Sequence, residues 1–385
     1  MVRVNALQNA VDLVLVVVAR WQERSRDEFE DGAPPIRGGG DRLEPPIPKE
    51  GGELGRPVEG RAPDLVPFRP LHPCDDTQTV PPVTPDRITI VEVAPRDGLQ
   101  AEERTLATET KLELLDRLAD AGHTIIEATS FVSPKAVPQL ADAEELMRLL
   151  TPRAGIRYTA LVPNEIGLER ALACGVKEIA VFASASESYS RKNLNRSREE
   201  AIAAYAPVVR RAKDARLRVR GYLSMAFADP WDGPTPAATV IESSRKLLDQ
   251  GCDELSLGDT VGTGTPGDVS RLIDELRRGR IALERVAFHF HDTYGQALAN
   301  ALAAMNEGVT TFDASTGGIG GSPFAKMAGG NLATEDLAFM CAGTGIHTGL
   351  DLDKLVATSH WLAEQLGREL PAHVSRVRAS GKRDH

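Results

Sequence analysis

Between residues 88 and 314, short runs rich in β-branched and aromatic residues alternate with longer segments of helical periodicity. β-branched and aromatic residues favour strands, while apolar residues that recur every three or four positions favour amphipathic helices. The eight predicted strands span residues 88–93, 124–128, 157–162, 178–182, 218–223, 254–257, 285–290 and 310–314. This alternation predicts an α/β fold built on a parallel sheet.

The segments between these strands carry the start and stop signals of helices. Several begin at proline or an acidic residue and end near glycine, as at Gly122, Gly175 and Gly251. The predicted helices span residues 108–121, 138–150, 165–174, 198–215, 236–250, 266–278 and 296–307. Eight β–α units in roughly 255 residues match the number and length of a TIM (β/α)8 barrel. A doubly wound open sheet is the alternative, but no Gly-x-Gly-x-x-Gly follows the first strand.

The first 85 residues differ in composition from the rest of the chain. Residues 31–85 are dense in proline and glycine, which predicts a disordered, flexible extension. The apolar run at residues 11–19 is too short to span a bilayer and has no clear cleavage site of a signal peptide. The predicted organisation is an extension at 1–85, a barrel domain at 86–372 and a C-terminal tail at 373–385.

The amino-acid composition limits which binding partners and which cellular compartment suit the chain. The net charge of −10 gives no sign of the basic surface that nucleic-acid binding requires. The content of 42% hydrophobic and 26% charged residues is ordinary for a soluble globular protein. The four cysteines lie far apart without Cys-x-x-Cys spacing, which favours a reducing compartment. We therefore expect a cytoplasmic protein with neither a nucleic-acid nor a membrane partner.

In a TIM barrel, catalytic groups lie at the C-terminal ends of the strands. His289 and His291 are one residue apart in the seventh predicted strand, so both side chains face the same side, about 6–7 Å apart at Cα. Asp97, after the first strand, adds a carboxylate, and Asn331, beyond the eighth, adds an amide oxygen. This mixed set suits Mg²⁺ or Mn²⁺, and leaves Zn²⁺ and Fe²⁺ open.

Each of these residues also has an ordinary structural interpretation. The histidines fit a plain strand end, Asp97 fits a turn before Gly98, and Asn331 fits a helix cap. These alternatives are open from the residues alone.

Further polar residues follow other strands of the predicted barrel. Arg96 has a planar fork that suits a carboxylate or a developing enolate oxygen, or alternatively a salt bridge to Glu127 at the end of the second strand. Asn164 follows the third strand. Arg191 and Lys192 follow the fourth and suit phosphate groups, although such a basic cluster is more often a solvated face.

The glycine-rich run at residues 317–321 follows the eighth predicted strand. Its backbone freedom suits a mobile lid over the site, or alternatively a tight barrel connection.

Five motifs in order resemble the 3-hydroxy-3-methylglutaryl-CoA lyase family of the DRE-TIM metallolyase superfamily. They are EVAPRDGLQ at 92–100, TSFVSPK at 129–135, SLGDT at 256–260, HFHDTYGQALAN at 289–300 and GNLATED at 330–336. The resemblance runs from about residue 88 to about residue 366. It does not cover the first 85 residues.

The resemblance implies a metal-dependent carbon–carbon lyase that cleaves 3-hydroxy-3-methylglutaryl-CoA to acetyl-CoA and acetoacetate. It implies Asp97, His289, His291 and Asn331 as cation ligands. It further implies that Arg96 stabilises the enolate and that Glu127 holds the ligands in place. Asp97 or a ligating histidine is the candidate base. An acyl-CoA substrate and a place in leucine degradation and ketone-body formation follow, and a homodimer is allowed but not required.

The chain departs from the family pattern in the loop after the last strand. The family has a catalytic cysteine in Gly-Gly-Cys-Pro, whereas this chain has Ser322 there. A thiol with a pKa near 8.5 is a usable acid at neutral pH, and a serine hydroxyl is far weaker. The substitution leaves open a longer 3-hydroxy-3-alkylglutaryl-CoA or citramalyl-CoA as substrate.

Two other classes of function are consistent with the same barrel. One is a Claisen-condensing acyltransferase related to isopropylmalate and homocitrate synthases, although those carry a sizeable C-terminal regulatory region. The other is a binding protein that has lost its thiol, against which every predicted cation ligand is retained.

Overall fold

The structure, a computed structural model, describes residues 84–321 and 330–379. The predicted disorder of the N-terminal extension concerns residues that lie outside this part, apart from residues 84 and 85. Ser322 and residues 380–385 of the predicted tail also lie outside it.

Eight parallel strands of the described chain close into a barrel. They are β1 Thr89–Glu92, β2 Ile125–Ser130, β3 Arg157–Leu161, β4 Glu178–Ser184, β5 Arg218–Ser224, β8 Glu254–Asp259, β9 Val286–Phe290 and β10 Thr311–Ala314. Their order around the barrel is β1-β10-β9-β8-β5-β4-β3-β2. A short antiparallel hairpin, β6 Ala228–Asp229 and β7 Gly233–Pro234, follows β5. Closure confirms the TIM barrel, and the open-sheet alternative is wrong.

In the described residues, nine helices lie between barrel strands along the chain, and three follow the last barrel strand. They are α1 Thr108–Asp120, α2 Ala143–Leu149, α3 Glu165–Ala173, α4 Glu187–Leu194, α5 Arg198–Ala203, α6 Ala206–Asp214, α7 Ala237–Gln250, α8 Pro266–Arg278, α9 Ala297–Asn306, α10 Thr334–Thr344, α11 Leu352–Leu366 and α12 His373–Ala379. In the described residues, no helix has the length and apolar character needed to cross a membrane.

The single helix predicted at 198–215 is wrong, because the segment forms two helices, α5 and α6. Pro207 lies at the second position of α6, where its missing N–H breaks no helical hydrogen bond. The helix predicted at 138–150 begins only at Ala143, after a 3₁₀ turn at Pro138–Leu140. Arg191 and Lys192 belong to α4, which the sequence did not predict as a helix.

The strands are buried because they form an inner layer that the helices surround. Every residue of β2 and β8 is buried, as expected when a parallel sheet is covered on both faces. Helix α8 buries one stripe of apolar side chains at helical spacing, namely Val269, Leu272, Ile273 and Leu276. The outer core between sheet and helices is therefore apolar. The polar strand residues discussed below meet inside the barrel.

Candidate active site

A turn after β1 places Arg96 and Asp97 at the C-terminal mouth of the barrel. The chain leaves β1 through a π-helical turn, Ala94–Gly98, in which the amide of Asp97 donates to the carbonyl of Val93 at 2.8 Å. A Cβ on Gly98 would lie 2.5 Å from Ile319 Cγ1, so the turn packs directly against the segment after β10. That close approach brings Asp97 beside Asn331.

The two histidines point to a common position, as their spacing predicted. Their Nε2 atoms are 3.3 Å apart, and Nε2 of His289 lies 3.9 Å from Oδ2 of Asp97. In the described residues, Asp97, His289 and His291 form a group whose ligand atoms all lie within 4.8 Å of one another. One cation therefore suffices to contact all three side chains.

The other ring nitrogen of each histidine is held by an acceptor. His291 Nδ1 donates to the carbonyl of Thr260 at 2.7 Å, and His289 Nδ1 donates to Oδ2 of Asp313 at 3.2 Å. These partners fix the tautomers and leave both Nε2 atoms with lone pairs that face each other. Two lone pairs at this separation repel, and a shared cation removes the repulsion. The histidines therefore fit a metal ion.

Asn331 joins the group from the other side of the barrel seam. Its Nδ2 donates to Oδ2 of Asp97 at 2.8 Å and to the carbonyl of Ile319 at 3.1 Å. Its amide oxygen is buried and accepts no hydrogen bond from the described residues. Buried acceptors are normally paired, so an oxygen left over here also fits a cation. The alternative of a helix cap is wrong, because Ala333 is the N-cap of α10.

The surroundings at the mouth favour the ligating forms of Asp97 and His291. Burial acts to raise the pKa of Asp97, but Arg96 and His289 outweigh it and lower the pKa to about 2. Burial, reinforced by His289, lowers the pKa of His291 to about 4. Burial acts to lower the pKa of His289, but Asp313 and Asp97 outweigh it and raise the pKa. An ionised Asp97 and a neutral His291 are the forms that bind metals.

Arg96 is held on two sides by carboxylates. Its Nε and Nη2 atoms each lie 2.7 Å from Oε2 of Glu127, and its Nη1 donates to Oδ1 of Asp97 at 2.6 Å. The salt bridge to Glu127 that the sequence offered as an alternative is therefore present. Tyr222 donates its hydroxyl to the same Glu127 oxygen at 3.1 Å. The guanidinium is thereby fixed beside Asp97.

Three side chains of the site were not found from the sequence. Arg220 and Tyr222 lie on β5 and Asp313 lies on β10, and all three are buried. The alternation Arg218-x-Arg220-x-Tyr222 was the available signal, since residues two apart share one face of a strand. Polar residues repeated on one face of a barrel strand indicate an interior polar network.

The other predicted site residues lie elsewhere around the mouth. Asn164 caps α3, where its Oδ1 accepts from the amide of Gly167 at 2.9 Å. Arg191 is exposed and forms an ion pair with Glu187 at 2.7 Å. Lys192 lies over the ring of Trp231, with Nζ 3.7 Å from the ring centroid. Their role in substrate binding stays a prediction, as does that of Ser322 outside the described residues.

The start of the glycine-rich run is tightly anchored. Gly317 and Gly318 are buried with φ of 76° and 68°. The amide of Gly317 donates to both carboxylate oxygens of Glu335 at 3.1 and 3.0 Å. Residues 317 and 318 therefore form a tight barrel connection, which was the alternative to a mobile lid.

Comparison with known proteins gives consistent matches over the barrel. Residues 87–362 match the HMGL-like family. The mitochondrial hydroxymethylglutaryl-CoA lyase of Mus musculus is 46% identical over 293 residues, covering 76% of this chain and 90% of that protein. A hydroxymethylglutaryl-CoA lyase structure from Pseudomonas aeruginosa aligns at TM-score 0.76 and 43% identity, covering 78% and 99% of the two chains. An HMG-CoA lyase from Acinetobacter baumannii, in complex with coenzyme A and 3-methylmalate, aligns at 0.72 and 36% identity, covering 76% and 95%.

Proposed function

The chain belongs to the HMGL-like family, and from this premise we propose that it is a carbon–carbon lyase acting on 3-hydroxy-3-methylglutaryl-CoA. The products are acetyl-CoA and acetoacetate. The observation that carries the proposal is the meeting of Asp97, His289 and His291 beside Arg96 at the barrel mouth. Relatives that share about half of the sequence are lyases of this name, which supports the same reaction here.

Asp97, His289, His291 and Asn331 would hold a divalent cation, which we propose to be Mg²⁺ or Mn²⁺. A carboxylate, two imidazoles and an amide oxygen without thiolate suit these ions. When bound, the cation supplies a Lewis acid and a template for the tertiary hydroxyl and a carboxylate oxygen of the substrate.

The chain's own groups supply the proton acceptor and the stabilisation of charge. Asp97, which is ionised, and His289, whose pKa is raised, both adjoin the proposed cation position, and each is a candidate acceptor of the hydroxyl proton. Loss of that proton lets the hydroxyl oxygen become a ketone as the neighbouring C–C bond breaks. The electron pair of that bond moves onto the thioester as an enolate. Protonation of the enolate carbon then gives acetyl-CoA.

Arg96 is the candidate partner of the enolate oxygen. A guanidinium has five N–H donors, and Glu127 and Asp97 contact it through three different nitrogens. Two N–H bonds are then left for the developing oxyanion. One donor of this kind lowers a barrier by about 2.7–4 kcal/mol in a comparable site. We assign Ser322 to the final protonation step, on the family resemblance alone.

The acyl group is the finer part of the proposal. The Acinetobacter relative binds coenzyme A and 3-methylmalate, which shows that a related barrel accepts a smaller hydroxy diacid. Ser322 also departs from the family loop. The smaller acid favours a shorter substrate such as citramalyl-CoA, and the changed loop leaves open a longer 3-hydroxy-3-alkylglutaryl-CoA. Each would give acetyl-CoA and the corresponding oxo acid.

The test is a panel of 3-hydroxyacyl-CoA thioesters assayed with Mg²⁺ and Mn²⁺, with release of acetyl-CoA as the readout. We expect turnover with 3-hydroxy-3-methylglutaryl-CoA and its loss in His289→Ala. The control is His347→Ala, an exposed histidine outside the site. Turnover unchanged in His289→Ala would rule out the metal site. Net synthesis from acetyl-CoA and a 2-oxo acid would instead favour the condensing acyltransferase.

We further propose a cytoplasmic location, a role in leucine degradation and ketone-body formation, and a homodimer. Three cysteines in the described chain, Cys174, Cys252 and Cys341, are free, which suits a reducing compartment. The mammalian relatives are named mitochondrial, so cell fractionation is the deciding measurement for location. Light scattering during size-exclusion chromatography decides the oligomeric state.

A further inference from the structure

We propose that Arg220 and Tyr222 are positioning residues that couple the two sides of the cation site through a ring of buried polar contacts. Arg220 acts on His289 through Asp313. Tyr222 acts on Arg96 and Asp97 through Glu127. The inference rests on the cation site proposed above and extends it to a strand that supplies no ligand.

The first arm runs from β5 to the histidine on β9. Arg220 Nη2 forms an ion pair with Oδ1 of Asp313 at 2.6 Å. The other oxygen of Asp313 accepts from His289 Nδ1 at 3.2 Å and from the Ser256 hydroxyl at 2.7 Å. Asp313 is also the register partner of His289 on the neighbouring strand. Arg220 therefore holds the carboxylate that fixes the tautomer of His289.

The second arm runs from β5 to the turn after β1. Arg220 Nη1 donates to the hydroxyl oxygen of Tyr222 at 3.2 Å, and that hydroxyl donates to Oε2 of Glu127 at 3.1 Å. The same Glu127 oxygen accepts from Arg96, which in turn donates to Asp97. The ring closes where His289 Nε2 faces Asp97 Oδ2 at 3.9 Å, which is the cation position.

Burial makes each contact in this ring costly to break. Arg220, Tyr222 and Asp313 are 5%, 9% and 2% exposed. Removing one partner of a buried ion pair leaves an uncompensated charge in a medium of low dielectric constant. Loss of a group that orients a ligating histidine typically lowers metal affinity 10–100-fold. A change at β5 should therefore alter cation binding, although β5 supplies none of the proposed ligands.

The matched control lies two residues away on the same strand face. Arg218 forms ion pairs with Glu178 and Glu254, and it is 40% exposed at its side chain. Arg218 shares Glu254 with Arg220, whose Nε lies 2.8 Å from Oε1 of that carboxylate, but no contact described for Arg218 involves Asp313, Tyr222 or a proposed cation ligand. Arg218→Lys keeps a positive charge beside Glu254, so it perturbs the same strand and the same kind of ion pair without removing a contact of the ring.

The experiment is a titration of the metal-free full chain with Mn²⁺, followed by calorimetry or by the EPR signal of free Mn²⁺. We expect Arg220→Lys and Asp313→Asn to weaken binding 10–100-fold, and Arg218→Lys to bind like the wild type. Tyr222→Phe should bind Mn²⁺ nearly normally yet lower kcat about tenfold or more at unchanged KM, because Arg96 acts on charge that develops only in the transition state. If Asp313→Asn does not fold, Asp313→Glu carries the same test.

The proposal would be overturned if Arg220→Lys and a folded Asp313 variant bound Mn²⁺ as tightly as Arg218→Lys does. The same holds for Tyr222→Phe with unchanged kcat. Failure of the lyase function is seen separately, as a wild type that binds Mn²⁺ but releases no acetyl-CoA from any thioester.

Discussion

Replacing Gly330 with alanine tests how closely two chain segments must approach beside the cation site. An added Cβ would lie 2.1 Å from the carbonyl oxygen of Gly318 and 2.2 Å from that of Gly320, whereas ordinary contact begins at 3.4 Å. Both neighbours are backbone atoms, so neither can rotate away as a side chain would. The backbone has to move by about 1 Å or more to admit one methyl group.

The size of the effect follows from what the displaced backbone carries. Overpacking a close-packed site costs about 1–3 kcal/mol of unfolding free energy. The next residue, Asn331, donates to Asp97, and the carbonyl of Gly330 accepts from the amide of Asp292 at 2.9 Å. Misplacement of a reacting site by about 1 Å costs roughly 10²-fold in rate, so we expect a loss of that order in kcat/KM.

The assay combines urea unfolding with acetyl-CoA release. The control is Gly343→Ala in α10, where an added Cβ meets nothing within 4 Å. Alanine there should stabilise the helix by about 0.5–1 kcal/mol, because glycine loses more backbone entropy on folding. Wild-type turnover and an unchanged unfolding midpoint in Gly330→Ala would show that the close approach is not required.

Two further changes test the loop and its anchor. Ser322→Cys should raise the rate of acetyl-CoA release, because a thiol is the stronger acid, and a lower rate would mean that the loop serves another substrate. Burial raises the pKa of Glu335 to about 7, whereas the ordinary value is 4.5. Between these two pH values the folded chain keeps a proton that the unfolded chain has lost. The free energy of unfolding should therefore fall by about 3 kcal/mol as the pH rises through this interval. Glu335→Gln should flatten that dependence in urea unfolding at about pH 5 and about pH 8, and a slope that persists would assign it to other groups.

The architecture was predictable because each strand has a local sequence pattern that indicates it. Buried strands such as β4 are largely apolar or small-residue runs, as in IAVFAS at residues 179–184, and eight such strands with helices between them leave few alternatives. Helix boundaries were less predictable, because apolar periodicity continues across the break at residues 204 and 205. Only the position of Pro207 marks the start of α6. Periodicity reports which face is buried, not where one helix ends.

The meeting of the two histidines was predictable, because local spacing determines it. His289 and His291 share a face because they are two positions apart in a strand. Asp313 could not be assigned from its own surroundings, since its role depends on standing opposite His289 in the register of β9 and β10. Spacing places Arg220 on the same strand face as Tyr222, but it does not give the contacts that Arg220 makes across the barrel interior.

Closure of the barrel is what brings the residues of the site together. β1 pairs with β10, and Glu92 at the end of β1 accepts from the amide of Thr316 at 2.9 Å and from the Thr334 hydroxyl at 2.8 Å, both beyond β10. Asp97 lies on one side of this seam and Asn331 on the other. An open barrel would therefore lack part of the proposed ligand set, and a cation held by that set would bind the closed form selectively. At a hundredfold excess over its dissociation constant, such a ligand adds about 2.7 kcal/mol to the free energy of unfolding.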